Sequence, residues 1–359
     1  MKILFIADPL ASFQIYKDTT FAMMREAQKR GHQLFACEPH HVVWQSGQTV
    51  QAQVQQVHLT GKPDEWFEVH GVFADRALHS FDAVIMRKDP PFDSEYFYAT
   101  HLLEQAEREG AKVFNKPSAL RNHPEKLAIL EFAQFISPTL VTRDAQAIRA
   151  FHAVHRDIIL KPLDGMGGAG IFRVKDDALN LGAIIETLNR DGAQTVMAQK
   201  FIPAISQGDK RVLVIGGKAV PFCLARIPQG GEVRGNLAAG GKGVAQPISV
   251  RDQEIADAIG PVLAQRGLLL IGLDVIGDNL TEINVTSPTC FQEIMNQAGC
   301  NVAGNDPAGA NLCYYQANSP TDLNNALAQI ARQPRDLDRI LLPWQADLLR
   351  GEPSLNAPR

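Results

Sequence analysis

A chain of 359 residues is long enough for two or three packed domains, and 45% hydrophobic with 21% charged residues is the balance of a soluble globular protein. The formal net charge of −4 argues against sequence-independent nucleic-acid binding, which requires many lysines and arginines to neutralise phosphates. Five cysteines without a CxxC pair argue against a disulfide framework or a zinc site and indicate reduced thiols in a cytoplasmic protein. The apolar runs at 3–8 and 268–277 are too short for a signal peptide or a membrane span, so we expect neither.

The first third of the chain alternates strand-like and helix-like segments. Asp18 and Asp93 suit the N-caps of two helices, and Gly31 and Gly110 stand where those helices would end. The strand candidates around them are ILFIAD (3–8), HQLFACE (32–38), FDAVIMR (81–87) and AKVFN (111–115). This alternation predicts a parallel, doubly wound sheet. The polar, glutamine-rich stretch 45–70 is expected to form loops or a small edge hairpin.

From about residue 125 the pattern changes to an α+β region with antiparallel hairpins. Helical patterns occupy 176–190 and 250–266. The strand candidates are IILKP (158–162), GIFRV (170–174), TVMAQKFI (195–202), KRVLVIGGKAVPFCLARI (210–227), LLLIGLDVI (268–276) and LTEINV (280–285). The tail after residue 316 contains five prolines, and a short helix is expected over 320–332.

A glycine-dense segment, GMGGAG (165–170), formally matches the dinucleotide-binding pattern GxGxxG. That motif requires a helix after it, whereas IFRV (171–174) is strand-like, so the context disfavours a Rossmann nucleotide site. Glycines between two strands can instead let backbone N–H groups approach phosphates, with Lys161 adding a positive charge. A phosphate-binding loop and a plain hairpin remain equally good interpretations of this segment alone.

A second loop, IPQGGEVRGNLAAGGKG (227–243), is long, glycine-rich and cationic. It follows Arg226 and contains Arg234 and Lys242. Glycine hinges with arginine and lysine charges are what a lid over a triphosphate requires. The alternative is a disordered surface loop, which we disfavour because the segment lacks the serine and proline content of linkers.

The hairpin GLDVIGDNLTEINV (272–285) carries two carboxylates on one face. A three-residue turn, Gly277-Asp278-Asn279, would pair Ile276 with Leu280, Asp274 with Glu282 and Gly272 with Asn284. The side chains of Asp274, Glu282 and Asn284 would then project to one side, and a bulge would change the register without dispersing them. Such an oxygen-only set suits Mg²⁺ or Mn²⁺ together with substrate phosphates. The alternative is a solvated hairpin face, while Leu273, Val275, Ile283 and Val285 should pack on a core.

Histidines and Arg87 are weaker candidates. No histidine follows His155, which disfavours histidine-based catalysis near the glycine-rich loops. His152 and His155 have helical i, i+3 spacing, for which a surface helix face is a better interpretation than a metal site. Arg87 ends a predicted strand, where open α/β sheets collect ligands, although an ordinary strand-end salt bridge is equally good.

Four segments closely resemble the bacterial glutathione synthetase family of the ATP-grasp superfamily, and the resemblance runs from residue 1 to about 300. They are RKDPPFDSEYFYAT (87–100), KPLDGMGGAGIFRV (161–174), LARIPQGGEVRGNLAAGGKG (224–243) and GLDVIGDNLTEINVTSPTC (272–290). The resemblance implies a Rossmann-like N-terminal substrate domain (1–124) and an ATP-grasp domain (125–315). The chain departs from the family pattern near its end, so 316–359 is expected to be an atypical C-terminal extension.

The resemblance implies the ATP-dependent ligation of γ-glutamylcysteine with glycine through an acyl phosphate, in a cytoplasmic homo-oligomer. ATP would be bound by Lys126, Lys161, Gly165, Gly167, Gly168, Gln199, Lys200, Phe201, Ile202 and Asp209, with Gln199 to Ile202 along the adenine and Asp209 near the ribose. Mg²⁺ (or Mn²⁺) would be held by Asp274, Glu282 and Asn284. Arg211, Arg226 and Arg234 would stabilise the transferring phosphoryl group and the substrate carboxylate, and Arg87, Ser287 and Thr289 would bind the peptide.

Two other functions are compatible with the same residues. One is another ATP-grasp ligase that joins amino acids or D-alanines. The other is a nucleotide-binding protein that has kept the fold and lost catalysis. The intact acidic set, the lid arginines and both lysines argue against the second.

Overall fold

The computed structural model describes residues 1–299, so the expectations for the tail lie outside it. The helices are α1 (Thr19–Lys29), α2 (Ser94–Arg108), α3 (Pro117–Asn122), α4 (Ala145–His155), α5 (Leu181–Asn189), α6 (Val250–Gln265) and α7 (Phe291–Ala298). The strands are β1 (Lys2–Ala7), β2 (Gln33–Cys37), β3 (Val42–Val43), β4 (Gln51–Leu59), β5 (Phe67–Ala77), β6 (Ala83–Arg87), β7 (Val113–Phe114), β8 (Thr139–Thr142), β9 (Ile158–Pro162), β10 (Phe172–Val174), β11 (Val196–Lys200), β12 (Asp209–Ile215), β13 (Lys218–Ile227), β14 (Lys242–Pro247), β15 (Leu270–Ile276) and β16 (Asn279–Asn284). Within this part of the chain no helix is both long and apolar enough to cross a membrane.

The first two helices begin where the sequence predicts. The Asp18 carboxylate accepts a hydrogen bond from the Phe21 backbone N–H at 2.7 Å, and the Asp93 carboxylate accepts one from Tyr96 at 2.9 Å. Each cap satisfies a backbone donor that has no partner inside the helix. Gly31, just beyond α1, has a φ of +78°, a conformation that favours glycine.

The N-terminal sheet is mixed rather than purely parallel, which corrects the predicted topology. Strands β2, β1, β6 and β7 are parallel, but β4 is antiparallel to β2, and β3 and β5 are antiparallel to β4. The glutamine-rich stretch forms β4 and the start of β5, a hairpin much longer than expected. Its buried residues alternate with outward glutamines, so one face packs on the core while the composition stays polar.

Two further sheets complete the fold, and both are antiparallel, as predicted. One has the order β10-β9-β11-β8 and the other the order β14-β13-β12-β15-β16. The sequence did not predict β8, β14, α3 or α7, and it indicated α4 only through the helical spacing of His152 and His155. His152 lies on α4 but is buried, with its Nε2 2.8 Å from the Lys175 carbonyl oxygen, so the expected surface position is wrong.

Asn115 joins the N-terminal sheet to the rest of the molecule. Its side-chain amide donates to the carbonyl oxygens of Leu270 (2.8 Å) and Val285 (3.1 Å). Its Oδ1 accepts from the backbone N–H groups of Leu269 (2.8 Å) and Leu270 (3.0 Å). A single buried core also contains residues from both regions, so the two pack as one body.

Candidate active site

A cleft of about 290 Å³ opens between the two smaller sheets and beneath the glycine-rich loops. Its lining contains every residue to which the family resemblance assigned a role, except Arg87. They are Lys126, Lys161, Gly165, Gly167, Gly168, Gln199, Lys200, Phe201, Ile202, Asp209, Arg211, Arg226, Arg234, Asp274, Glu282, Asn284, Ser287 and Thr289. Residues as far apart as 126 and 289 in the chain therefore meet in one concavity, which is the usual form of a small-molecule site.

Strands β15 and β16 place the acidic hairpin at the floor of the cleft. Asp274 pairs with Glu282, and Gly272 pairs with Asn284, as predicted. The predicted pairing of Ile276 with Leu280 is wrong, because Ile276 pairs with Asn279 across a two-residue turn. A bulge next to Asp274 takes up the extra residue and restores the register. The opposite face is buried in the core, as expected.

Asp274 is held between two guanidinium groups. Its carboxylate accepts from Arg211 Nε at 2.6 Å and Nη2 at 3.1 Å, and it lies 2.9 Å from Arg226 Nη2. The antiparallel pairing sets this geometry, since Arg211 stands directly opposite Asp274 on β12. Burial alone would raise the pKa of Asp274, but the two adjacent guanidinium groups outweigh it and hold the pKa well below its usual range. The carboxylate is therefore ionised.

Two lysines occupy the other side of the acidic pair. Lys126 Nζ lies 3.1 Å from Glu282 Oε1 and donates to the Gly165 carbonyl oxygen at 2.5 Å, so it links the hairpin to the glycine loop. Lys161 Nζ is buried and lies 3.3 Å from the Thr281 carbonyl oxygen. Burial lowers the pKa of Lys161 to about 8, despite nearby carboxylates. A phosphate group would satisfy both ammonium groups.

Asp209 also lies in the cleft, and its carboxylate has an unsatisfied oxygen. One oxygen, Oδ2, pairs with Arg226, while the buried Oδ1 has no hydrogen-bond partner in the described part of the chain. Burial raises the pKa of Asp209 to about 6, more than the Arg226 charge lowers it. A buried acceptor without a hydrogen-bond partner is energetically unfavourable, so this oxygen indicates a site for a ligand hydroxyl group or a cation. The predicted contact with a ribose stays a prediction.

The residues present fit a divalent cation of the Mg²⁺ type. Asp274 and Glu282 supply carboxylate oxygens, and Asn284 donates its amide to the Gly272 carbonyl at 3.2 Å, which leaves its Oδ1 as a ligand. Among residues 1–299 no group of three or more histidines, cysteines or acids is arranged to hold a metal. These residues therefore supply only part of a coordination shell. This agrees with Mg²⁺ coordination in proteins, in which a few carboxylates bind the ion and phosphate and water complete the shell.

The glycine loop is a hairpin connection, in agreement with the rejection of a Rossmann motif. It joins β9 to β10, which pair antiparallel. Gly167, Gly168 and Gly170 all have positive φ angles that other residues rarely adopt. The loop can thus expose backbone N–H groups toward the cleft.

The predicted lid packs over this loop. Arg234 Nη1 lies 3.3 Å from the Gly168 carbonyl oxygen, and a side-chain carbon added at Gly168 would lie only 2.8 Å from Asn236 Oδ1. At the lid base, a Cβ on Gly235 would overlap the Arg226 carbonyl. Lys242 begins β14, so the last predicted lid residues belong to a strand. The close approach depends on glycine at both contacts.

Arg87 lies behind the cleft instead of in its lining. Its buried guanidinium donates to Thr20 Oγ1 at 3.1 Å and to the Pro288 carbonyl oxygen at 3.1 Å. It therefore supports the turn between Ser287 and Thr289, both of which do line the cleft. Direct binding of a substrate by Arg87 stays a prediction.

Glu125 is a cleft residue that the sequence analysis missed. Its Oε1 accepts from the backbone N–H groups of Val285 (2.9 Å) and Thr286 (3.1 Å) and from the Thr286 hydroxyl (2.8 Å). Its carbonyl accepts from Ile283 at 3.0 Å. Glu125 thus fixes Lys126 against β16. In the sequence, only its position next to Lys126 indicated a role in the cleft.

Comparisons with known proteins agree with this geometry. The family model described as prokaryotic glutathione synthetase, N-terminal domain, matches residues 1–121, and that for the ATP-grasp domain matches residues 125–299. Glutathione synthetase of Ralstonia nicotianae is 62% identical over 304 residues, which cover 85% of this chain and 93% of that protein. The corresponding protein of Nitrosomonas europaea is 56% identical over 307 residues, 85% and 95% of the two chains.

Solved structures show the same fold at low identity. The D-cycloserine synthetase DcsG aligns with a TM-score of 0.56 at 15% identity, over 82% of this chain and 94% of that one. The ATP-grasp ligase PsnB, in complex with a minimal precursor, Mg and ADP, aligns with a TM-score of 0.53 at 19% identity, over 92% and 98%. Together, the family models and the relatives show that the chain belongs to the prokaryotic glutathione synthetase family of ATP-dependent ligases.

Proposed function

We propose that this cleft joins the cysteinyl carboxylate of γ-glutamylcysteine to the amine of glycine at the expense of ATP, through an acyl phosphate. The observation that carries the proposal is that five cationic side chains line the cleft, four of them in contact with the acidic hairpin and the fifth, Arg234, on the glycine-rich lid. These cations are Lys126, Lys161, Arg211, Arg226 and Arg234. A carboxylate is a poor electrophile, so activation by phosphoryl transfer suits a site built for polyanions.

In the first step, the peptide carboxylate attacks the γ-phosphorus of ATP and ADP leaves. Two anions must approach each other, so the catalytic task is charge neutralisation and alignment. Lys126 and Lys161, which contact Glu282 and the Thr281 carbonyl, would hold phosphate oxygens. Arg211 and Arg226 pair with Asp274 on the neighbouring strand of the hairpin. Bound at Asp274, Glu282 and Asn284, Mg²⁺ (or Mn²⁺) would neutralise phosphate charge and polarise the transferring group.

In the second step, the glycine amine attacks the acyl carbonyl carbon, the amide bond forms and inorganic phosphate leaves with the C–O bond electrons. Ser287 and Thr289 can orient the peptide through their hydroxyl groups. No protein nucleophile is needed. Cys290 lines the cleft, but burial raises the pKa of its thiol, so it stays protonated. Water is the competing nucleophile, and the docked lid excludes it.

Arg234 differs from the other four cations because it lies on the glycine-rich lid. Its guanidinium lies against Gly168 and pairs with Glu232 at 2.9 Å, near the surface of the cleft. A lid that closes over bound phosphates would bring this charge to them. A homo-oligomeric state, a cytoplasmic location and the use of Mn²⁺ remain predictions from the resemblance.

Phosphate release tests the proposal. Purified protein with Mg²⁺ and ATP should release phosphate only when γ-glutamylcysteine and glycine are both present, with one glutathione formed for each phosphate. The Glu282→Gln variant serves as the control for contaminating ATPases. Release with D-alanine or glutamate in place of these substrates would refute the substrate assignment, and ATP binding without turnover on any acceptor would refute the catalytic one.

A further inference from the structure

We propose that Arg173 and Asp157 form a positioning pair that fixes the ring of Phe201 as a wall of the nucleobase pocket. This inference rests on the proposed function, because it assumes that the cleft segment around Phe201 receives the adenine of ATP. It concerns two residues that no part of the reaction scheme uses. Neither of them lines the cleft.

The guanidinium of Arg173 lies over the face of the Phe201 ring, with its central carbon 3.5 Å from the ring centroid. A bidentate ion pair with Asp157 fixes the position of the guanidinium on the ring. Arg173 Nε lies 2.9 Å from Asp157 Oδ1, and Nη2 lies 2.6 Å from Oδ2. Arginine can stack its planar guanidinium on an aromatic ring while the same group makes two hydrogen bonds to a carboxylate. Lysine cannot provide this geometry.

Asp157 holds Phe201 from a second side. Its backbone carbonyl oxygen accepts a hydrogen bond from the Phe201 backbone N–H at 2.9 Å. One residue therefore anchors both the main chain of Phe201 and the cation that covers its ring. Asp157 directly precedes β9, whose Lys161 lies in the phosphate region of the cleft, so the clamp is built on a strand that already belongs to the site.

The two sides of Phe201 face different surroundings. Phe201 lines the cleft, whereas Arg173 does not. In the proposed arrangement the guanidinium covers one face of the ring from outside the cleft, and the opposite face would receive the base. A ring that is already fixed loses no rotamer freedom when a base packs on it. Without the pair of Arg173 and Asp157, the entropic cost of ordering the Phe201 ring would reduce the net free energy of ATP binding. The affinity for ATP should therefore depend on Arg173, while the chemical step should not.

A matched control lies nearby in the same lobe. Arg156 also pairs with an aspartate, Asp176, but its side chain is 61% exposed, and no cation–π contact to an aromatic ring of residues 1–299 is found for it. Arg156→Ala thus removes an arginine–aspartate pair without touching the clamp. Exposed pairs contribute little to stability, so this variant should fold normally.

The experiment compares Arg173→Ala, Arg173→Lys, Arg156→Ala and Phe201→Leu in the full-length protein, by initial rates of phosphate release and by calorimetric titration with a non-hydrolysable ATP analogue. Arg173→Ala should raise the KM for ATP and the analogue Kd by roughly fivefold to tenfold, with kcat and the KM for γ-glutamylcysteine changed less than twofold. Arg173→Lys should restore only part of the affinity, and Arg156→Ala should match the parent protein.

The outcomes separate this inference from the proposed function. An Arg173→Ala variant with unchanged ATP affinity, beside a Phe201→Leu variant with weakened affinity, overturns the clamp and leaves the ATP site intact. A fall in kcat at unchanged KM would also overturn it. If Phe201→Leu leaves ATP affinity unchanged, or the parent protein binds no nucleotide, the assignment of the pocket itself is wrong.

Discussion

Replacing Gly168 by alanine tests whether docking of the lid on the glycine loop contributes to catalysis. An alanine there would suffer two separate penalties. The first is backbone strain, because Gly168 has a φ of +85° and a left-handed alanine costs roughly 1–2 kcal/mol. The second is contact with the lid, since the new Cβ would lie 2.8 Å from Asn236 Oδ1 and 3.2 Å from Arg234 Cδ.

Only the second penalty should reduce the rate. The strain is present with the lid open or closed, so it lowers stability and cancels from the barrier. The contact exists only in the docked lid. The amide of Asn236 can turn away, so we assign this contact about 1 kcal/mol, at the lower end of overpacking costs, which corresponds to roughly a fivefold loss in rate. Gly192→Ala is the matched control, because its φ is +87° and its nearest neighbour, the Arg143 carbonyl oxygen, lies 4.0 Å away.

The assay measures phosphate and glutathione in the same reaction. Gly168→Ala should lose rate and release more phosphate than peptide, because a poorly docked lid admits water to the acyl phosphate. Gly192→Ala should keep both the rate and the one-to-one ratio while showing a similar drop in melting temperature. Equal rates for the two variants, or a preserved ratio in Gly168→Ala, would refute the role assigned to lid docking.

Three further predictions concern the charged floor of the cleft. Glu282→Gln should reduce activity by at least about a hundredfold with an unchanged circular dichroism spectrum, because it removes an anionic ligand from a partly exposed position; an unfolded spectrum would show that the hairpin is mainly structural. Asp274→Asn should lower the free energy of unfolding by about 3 kcal/mol in chemical denaturation, since it removes the anion paired with the buried Arg211 and one of the two anions paired with the buried Arg226; an unchanged midpoint would contradict this. Lys161 has its pKa lowered by burial to about 8, so kcat/KM for ATP should fall above about pH 8 as its positive charge is lost. The fall should be absent in Lys161→Arg, and folding stability of the parent should rise between pH 8 and 10, where the unfolded chain still binds the proton that the folded chain has released.

Local signals made most of the fold predictable. Asp18 and Asp93 cap helices because capping is decided within four residues, and the strands of the antiparallel region follow from short apolar runs. The hairpin β4–β5 was underestimated because its outer face is made of glutamines, which conceal a buried alternation. The register of β15–β16 was wrong at the turn yet correct at Asp274, because a bulge compensated for the shorter turn.

Long-range partners of the site residues could not be predicted. The sequence indicated that Asp274 and Glu282 lie on one face, since side-chain direction along a strand has a period of two. That Asp274 is ion-paired with Arg211 depends on how β12 aligns with β15, which brings together residues 63 positions apart in the chain. The hydrogen bond from the Val285 backbone N–H to the Glu125 carboxylate joins residues 160 positions apart, and no local sequence pattern predicts it.

Asn115 has a consequence for how such proteins can be recombined. The two family regions meet near residues 121 to 125, and this side chain reaches from the first region into the second. All four of its partners are main-chain groups, which any sequence with the same backbone supplies. For this polar part of the joint, a chimaera that takes its N-terminal region from one relative and its ATP-grasp region from another needs asparagine from the first parent only, whereas the shared hydrophobic core needs matching side chains from both parents.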